Sequence, residues 1–132
     1  MIHLYLISLI FGLIEGKEIS IKRVYMPGQE LTECVKKYNA EWGRTCSACR
    51  TEENTYTVFL RNECSQPVDI KCAVQETEKR WRTFSRLGVA PGDTMLAYAC
   101  YGTGKYLYWV RKADDKTVVF PTDEEINTTY AQ

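Results

Sequence analysis

The chain has 132 residues, 45% of them hydrophobic and 26% charged, and its 17 basic side chains balance its 17 acidic ones. This length predicts one globular domain, and the hydrophobic fraction is too high for a disordered chain. Because Lys and Arg form no cluster, we expect no nucleic-acid partner, whose phosphates would require one.

The first sixteen residues differ from the rest of the chain. A largely apolar run from 4 to 14 contains no charged residue. It is shorter than the about 20 residues that a membrane-spanning helix needs, but it fits the hydrophobic region of a secretory signal peptide. We therefore predict a signal peptide over 1–16, a mature chain from 17 to 132 without a membrane span, and a secreted or periplasmic location. A buried N-terminal strand or helix is the alternative, since no Lys or Arg precedes the run.

Six cysteines follow the predicted signal peptide: Cys34, Cys46, Cys49, Cys64, Cys72 and Cys100. An even number in a short secreted chain predicts three disulfides, for which fifteen connectivities are possible. Each bridge typically stabilises a fold by about 2–4 kcal/mol, so we expect reduction to weaken the protein severely.

A helical pattern follows a short strand pattern between 17 and 25. Apolar side chains recur at the spacing of one helix face; they are Leu31, Cys34, Val35, Tyr38 and Trp42. Acidic side chains precede basic ones along this segment, as the helix dipole favours, and Gly43 can end the helix in the left-handed conformation. The pattern predicts a helix from Gln29 to Trp42, with Cys34 facing the core and able to fix the helix to a sheet.

Short segments rich in β-branched and aromatic residues predict the strands. They are 55–61, 68–75, 80–84, 94–101, 106–112 and 117–120. In 68–75 apolar and polar residues alternate, so we expect one buried and one solvent-exposed face. Gly102–Lys105 predicts the turn of a hairpin, and the polar tail from 122 is expected to be mobile.

The predicted hairpin brings three tyrosines to one face. Pairing Tyr101 with Tyr106 places both of these rings and Tyr108 on that face. Exposed rings on rigid strands can stack on sugars or anchor a protein partner. Tyr101, Tyr106 and Tyr108, with Lys105 at the turn, are therefore the candidate binding residues, unless another element covers them.

Together these elements predict a mainly β (α+β) fold: an antiparallel meander sandwich or barrel of five to seven strands, braced by disulfides, with one N-terminal amphipathic helix. Cys72 and Cys100 both occupy positions expected to face inward, so this is the one pairing that we predict. The other four cysteines stay unassigned.

Several kinds of catalytic site are excluded or disfavoured. His3 is the only histidine and lies in the predicted signal peptide, which excludes Ser–His and Cys–His catalysis and His-ligated metals in the mature chain. Cys46–Cys49 is a CxxC motif without the strand–helix setting of redox enzymes. A zinc site using these two with Cys64 and Cys72 has an unusual spacing in its second pair. We predict no catalytic residue, no metal and no cofactor.

Three functional hypotheses remain. The first is a secreted, non-catalytic binding module that recognises a protein or carbohydrate partner through the tyrosine hairpin. The second is an enzyme inhibitor or immunity-type protein that inserts a loop, 44–54 or 86–93, into an enzyme. The third is a thiol–disulfide oxidoreductase that uses the CxxC motif.

The chain also contains the N-glycosylation sequon 127–129, which is relevant in a eukaryote.

Overall fold

The computed structural model of the protein describes residues 31–43, 49 and 53–131. The predicted signal peptide, the predicted strand between 17 and 25 and most of the loop 44–54 lie outside the described residues. Within the described ranges, neither helix has the length and apolar character needed to cross a membrane.

The described residues form two antiparallel three-stranded sheets, one in the order β1-β2-β5 and the other in the order β4-β3-β6. The elements are α1 (Leu31–Cys34), β1 (Val35–Trp42), β2 (Tyr56–Asn62), β3 (Val68–Glu76), a 3-10 turn (Thr77–Lys79), β4 (Arg80–Val89), β5 (Thr94–Ala99), β6 (Gly102–Lys112) and α2 (Asp123–Thr129). Two disulfides brace these elements. The described protein is therefore mainly β, as predicted. No hydrogen-bonded ladder joins the two sheets into a barrel within this part of the chain.

The main hydrophobic core contains side chains from both sheets. Its fully buried members include Val58, Leu60 and Ala97 from one sheet and Ile70, Cys72 and Val74 from the other. Burying an aliphatic side chain of this kind stabilises the fold by roughly 1.5–3 kcal/mol. This shared core holds the two sheets together.

β3 is buried on both faces, so the predicted solvent-exposed face is wrong. Asp69, Ala73 and Gln75, which were expected in water, are buried. β3 lies between β4 and β6, and Ala73 belongs to a second hydrophobic cluster that includes Ile126 of α2. The central position of the strand and the docked helix together remove its second face from water.

The C-terminal segment, expected to be a mobile polar tail, contains helix α2. Thr122 begins it with a capping box: its hydroxyl accepts from the Glu125 N–H at 3.1 Å, and its own N–H donates to the Glu125 carboxylate at 2.9 Å. Ile126 is fully buried in the second cluster, and Lys71 of β3 forms an ion pair with Asp123 at 2.8 Å. These contacts fix the helix on the sheet.

The helix predicted from Gln29 to Trp42 is wrong beyond Cys34, because Val35–Trp42 forms β1 and pairs antiparallel with β2. Apolar positions in β1 fail to alternate by two because the register shifts at a bulge between Lys37 and Asn39. That irregularity resembles helical spacing in the sequence. β-Branched and aromatic residues suit a strand equally well, and pairing with β2 decides the outcome.

The hairpin predicted around Gly102–Lys105 is also wrong. β5 pairs with β2 whereas β6 pairs with β3, so the chain crosses between sheets after Ala99. A Cβ atom on Gly102 would lie 2.5 Å from the Tyr56 Cβ, so only glycine fits this crossing. Among the described strands only β1–β2 and β3–β4 are consecutive pairs, rather than a full meander, and 117–120 is irregular.

Candidate binding surface

The structure keeps two of the four predicted binding residues, Tyr106 and Tyr108, together and places Tyr101 and Lys105 elsewhere. Tyr108 is buried, and its hydroxyl donates to the Val35 carbonyl at 2.8 Å. Tyr106 is half-buried and its ring lies parallel to that of Tyr108, with centroids 6.2 Å apart. Lys105 precedes Tyr106 in β6 and so lies on the opposite face, while Tyr101 is exposed in the turn between β5 and β6. These residues do not form the expected flat patch.

A different aromatic surface forms where side chains of β1 contact β6, a strand of the other sheet. Trp42, the last residue of β1, is 56% exposed, and its ring packs on Tyr56 with the centroids 4.8 Å apart. A Cβ on Gly104 of β6 would lie 3.5 Å from Cζ2 of Trp42. Tyr106 follows on the same face of β6, and the Lys37 ammonium lies 5.6 Å from its ring centroid. We call Lys37, Trp42, Tyr56, Gly104 and Tyr106 the aromatic edge.

Local structure fixes the Trp42 ring. Trp42 and Tyr56 are directly opposed in the β1–β2 ladder, and cross-strand pairs of this kind contribute about 0.2–1 kcal/mol. Gly43 then ends the strand with a φ of 85°, and its N–H donates to the Thr55 carbonyl at 2.8 Å. Tyr56 itself is buried. The exposed indole therefore rests on a rigid aromatic support.

Lys37 carries a positive charge that no carboxylate of the described chain neutralises. It takes part in none of the ion pairs formed by the described residues, and its contact there is with the Tyr106 ring. On β1 itself, the Glu41 carboxylate lies beside Asn39, from which it accepts a hydrogen bond at 3.2 Å. The aromatic edge is therefore locally positive, although the whole chain is neutral.

The phenols of the aromatic edge keep their protons. Burial, with smaller contributions from Tyr56 and Cys72, raises the pKa of Tyr106 to about 12. Burial also raises the pKa of Tyr56. Neither hydroxyl bonds to a described residue, and Arg82 Nε is the one buried, unpartnered polar side-chain atom in the described ranges. The Tyr106 side chain is half-buried, so its phenol, unlike that of the buried Tyr56, is placed to donate and accept hydrogen bonds at the surface.

The cysteines pair differently from the expectation. Cys100 bonds to Cys49, so the predicted Cys72–Cys100 bridge is wrong, and Cys34 bonds to Cys64. Cys72 is a buried free thiol, and burial raises its pKa to about 12. The four-cysteine zinc set is therefore unavailable. No other group of three or more His, Cys, Asp or Glu side chains in the described chain is arranged to hold a metal ion.

The predicted CxxC pair is divided in the structure. Cys49 is already bonded to Cys100, while Cys46 lies outside the described residues. A thiol–disulfide enzyme needs both cysteines of its motif to exchange with each other and with a substrate. The bridge to Cys100 instead joins the β1–β2 connection to the end of β5.

A second exposed feature lies at the end of β4. Leu87 is 67% exposed beside a bulge in the β3–β4 ladder, and the following Gly88 N–H donates to Asp69 at 2.8 Å. A cavity of about 300 Å³ lies here, lined in part by Leu87, Asp69 and Arg111. The Asp69–Arg111 ion pair at 2.8 Å balances the charge within it.

The chain matches no protein-family model, and comparisons with curated proteins and with solved structures find no match. Sequence reasoning missed Trp42 and Lys37 as site residues because it placed both on a helix. The strand propensity of Val35, Tyr38 and Trp42 was the signal that could have placed them at a sheet edge.

Proposed function

We propose that the protein is a secreted, non-catalytic binding module whose binding surface is the aromatic edge and whose partner is a protein or glycan. The observation that carries this proposal is the exposure of Trp42 on a fixed support. A Trp side chain can bury about 150–250 Å², and roughly half of Trp42 is still open to a partner. At about 25 cal/mol per Å², covering it supplies on the order of 2–3 kcal/mol of binding free energy.

The chemistry of the surface favours binding over catalysis. Phenols with raised pKa values are poor general bases near neutral pH. Beyond His3 the chain has no imidazole to serve instead. The two disulfides support secretion, since such bonds persist in oxidising compartments.

Enzyme inhibition is the second candidate, and Leu87 is the observation that favours it. This exposed side chain lies in the predicted inhibitory segment 86–93 and is followed by Gly88, whose N–H is held by Asp69. A rigid apolar side chain loses little conformational entropy on entering a pocket. Binding through Leu87 rather than Trp42 would identify this function.

Capture with matched variants tests the proposal. Wild type, Trp42→Ala and Leu96→Ala are immobilised and exposed to a glycan array and to secreted proteins, and each retained protein is identified by mass spectrometry. Leu96 is an exposed apolar residue that pairs with Phe59, away from Trp42, and so controls for general stickiness. We expect Trp42→Ala alone to lose the ligands. Retention of the same ligands by Trp42→Ala would contradict the proposal, and their loss from a Leu87→Ala variant would favour inhibition.

A further inference from the structure

We infer that the aromatic edge binds acidic oligosaccharides, with a pyranose ring stacked on Trp42 and a carboxylate or sulfate group beside Lys37. This inference rests on the proposed function and specifies its partner. It follows from the shape, the hydrogen-bonding groups and the charge of the same surface.

The shape suits a flat sugar ring. Trp42 presents a planar indole supported by Tyr56, and a pyranose has an apolar face of C–H groups that packs on such a ring. Gly104 has no side chain beside Cζ2, and glycine within a strand often marks a close approach of a ligand. Because β6 continues from Gly104 to the half-buried Tyr106 on the same face, a second sugar unit would lie along the strand.

The polar groups match the hydroxyls of a sugar. The Tyr106 side chain is half-buried, and its hydroxyl forms no hydrogen bond within the described chain. A ligand site combines an apolar surface with a few polar groups that fix orientation. A phenol that both donates and accepts is suited to a sugar hydroxyl, which does the same.

The charge selects an acidic sugar. Lys37 has no carboxylate partner in the described chain, and its ammonium lies over the Tyr106 ring. Lys36, its neighbour, pairs with Arg61 in the ladder and lies on the other face of β1. Lys37 is thus the cation placed to meet a ligand on the aromatic edge.

A sugar fits this surface better than a protein does. A stable protein interface covers about 800 Å² on each partner and has an apolar centre. The exposed side chains of Tyr38 and Leu96 lie with Phe59 on the outer face of the sheet, away from the aromatic edge. Trp42 is therefore an exposed ring next to Gly104 and separate from that outer apolar face, while Lys37 lies beside Tyr106.

Direct titration tests the inference. Oligogalacturonate supplies carboxylates alone, oligosaccharides of chondroitin sulfate supply sulfates in addition to carboxylates, and cello-oligosaccharide of equal length is the neutral probe. Isothermal titration calorimetry measures their affinities for the disulfide-bonded wild type and for Trp42→Ala, Lys37→Gln and Lys36→Gln. The last variant removes the same charge from the opposite face of β1, and near-UV circular dichroism verifies each fold.

We expect at least one acidic probe to bind and Trp42→Ala to weaken it roughly tenfold or more, as loss of an aromatic contact does. Lys37→Gln should weaken acidic probes about five- to tenfold and the neutral probe less than about twofold, while Lys36→Gln changes neither beyond about twofold. If Trp42→Ala fails to fold, the comparison of Lys37→Gln with Lys36→Gln decides the question. Tighter binding of oligogalacturonate identifies a carboxylate as the bound acidic group, and tighter binding of the chondroitin sulfate oligosaccharides identifies a sulfate.

The two proposals fail in different ways. Equal, Trp42-dependent binding of neutral and acidic sugars overturns the acidic specificity and leaves the binding module standing. Absence of sugar binding, with an identified protein bound through Trp42, overturns the sugar class alone. Acidic binding that Trp42→Ala leaves unchanged, or that Lys36→Gln weakens as much as Lys37→Gln, overturns the assignment of the site itself.

Discussion

Replacing Asp69 by Asn should destabilise the protein strongly, because three donors converge on this buried carboxylate. One oxygen accepts from the Gly88 N–H at 2.8 Å. The other accepts from Arg111 Nε at 2.8 Å and from the Asp114 N–H at 3.2 Å. Asp69 thereby connects β3 to the bulge of β4, to β6 and to the turn that follows β6.

The expected cost follows from the donors that lose their acceptor. An asparagine keeps one oxygen, which can still accept from Arg111 and Asp114, but its Nδ2 group then faces the Gly88 N–H; each orphaned donor costs about 1–3 kcal/mol, and the charge that pairs with Arg111 is lost. Arg111 also donates to the Val118 carbonyl at 2.7 Å and its side chain is 16% exposed, which limits the penalty. We expect a loss of about 3 kcal/mol, at the lower end of values for broken buried ion pairs. In a domain of this size the melting temperature should fall by roughly 10–15 °C.

The pH dependence of stability should change as well. Burial tends to raise the pKa of Asp69, but hydrogen bonds from Arg111, Gly88 and Asp114 and the guanidinium charge outweigh it and lower the pKa. The folded value therefore lies below the unfolded value of about 3.9. The stability that this carboxylate contributes is present above the unfolded pKa and is lost as pH falls through the folded pKa. Asp69→Asn should show a flatter pH dependence in that acidic range.

Urea unfolding followed by tryptophan fluorescence, at pH 7 and at pH 3, measures both effects. Asp114→Asn is the matched control, because that side chain is 88% exposed and contacts Lys116 at 3.5 Å. It should stay within about 0.5 kcal/mol of wild type. A loss below about 1 kcal/mol for Asp69→Asn at pH 7, or a pH dependence equal to that of wild type, would refute the reasoning.

Three further predictions concern burial and the cysteines. Ile126→Ala should cost about 2–4 kcal/mol in thermal unfolding because the side chain is fully buried, and equal stability with the exposed Thr128→Ala would mean that α2 is not docked. Replacing Cys34 and Cys64 together by Ala removes a bridge across 30 residues and should cost about 3.5 kcal/mol in non-reducing guanidinium chloride, which an unchanged midpoint would contradict. Burial raises the pKa of the Cys72 thiol to about 12, so this thiol should react with iodoacetamide only after unfolding. Mass spectrometry of the peptide that contains Cys72 measures the labelling, and labelling in the native protein would contradict the prediction.

Local sequence patterns predicted the strands well where the local preference of the residues agrees with the tertiary structure. The segment 55–61 differs from β2 by one residue at each end, and 68–75 differs from β3 by one. The Pro–Gly pair at 91–92 is a turn signal that the sequence also displays, and in the turn the Asp93 N–H donates to the Ala90 carbonyl at 2.9 Å. These elements depend on side-chain alternation and turn residues, which the sequence displays directly.

Local sequence patterns could not predict which strands pair with each other. Gly102–Lys105 has the composition of a hairpin turn, but the close approach of Gly102 to Tyr56 serves a crossing between sheets. The composition of a loop does not indicate to which sheet the next strand belongs. The same limit applied to Cys100, whose partner Cys49 follows β1 in a loop that no periodicity describes.

The candidate site depended on these pairings and so was found only in part. Tyr106 belongs to both the predicted and the observed surface, since its position in β6 was anticipated. Trp42 and Lys37 belong to this surface because β1 is a strand that pairs with β2, which places both side chains toward β6 of the other sheet. The T-x-x-E pattern at 122–125, by contrast, was readable in the sequence and signals the start of α2.

The position of Asn127 in α2 has a consequence for the sequon that it begins. Its carbonyl oxygen accepts from the Trp81 N–H at 2.8 Å, and its nitrogen donates to the Trp81 carbonyl at 3.4 Å and the Asp123 carbonyl at 3.0 Å. An N-linked saccharide replaces one hydrogen of that same nitrogen. Adding it would cost the protein one of the two hydrogen bonds that this nitrogen donates, so a glycan here would weaken the attachment of the C-terminal helix to β4 or the helix itself.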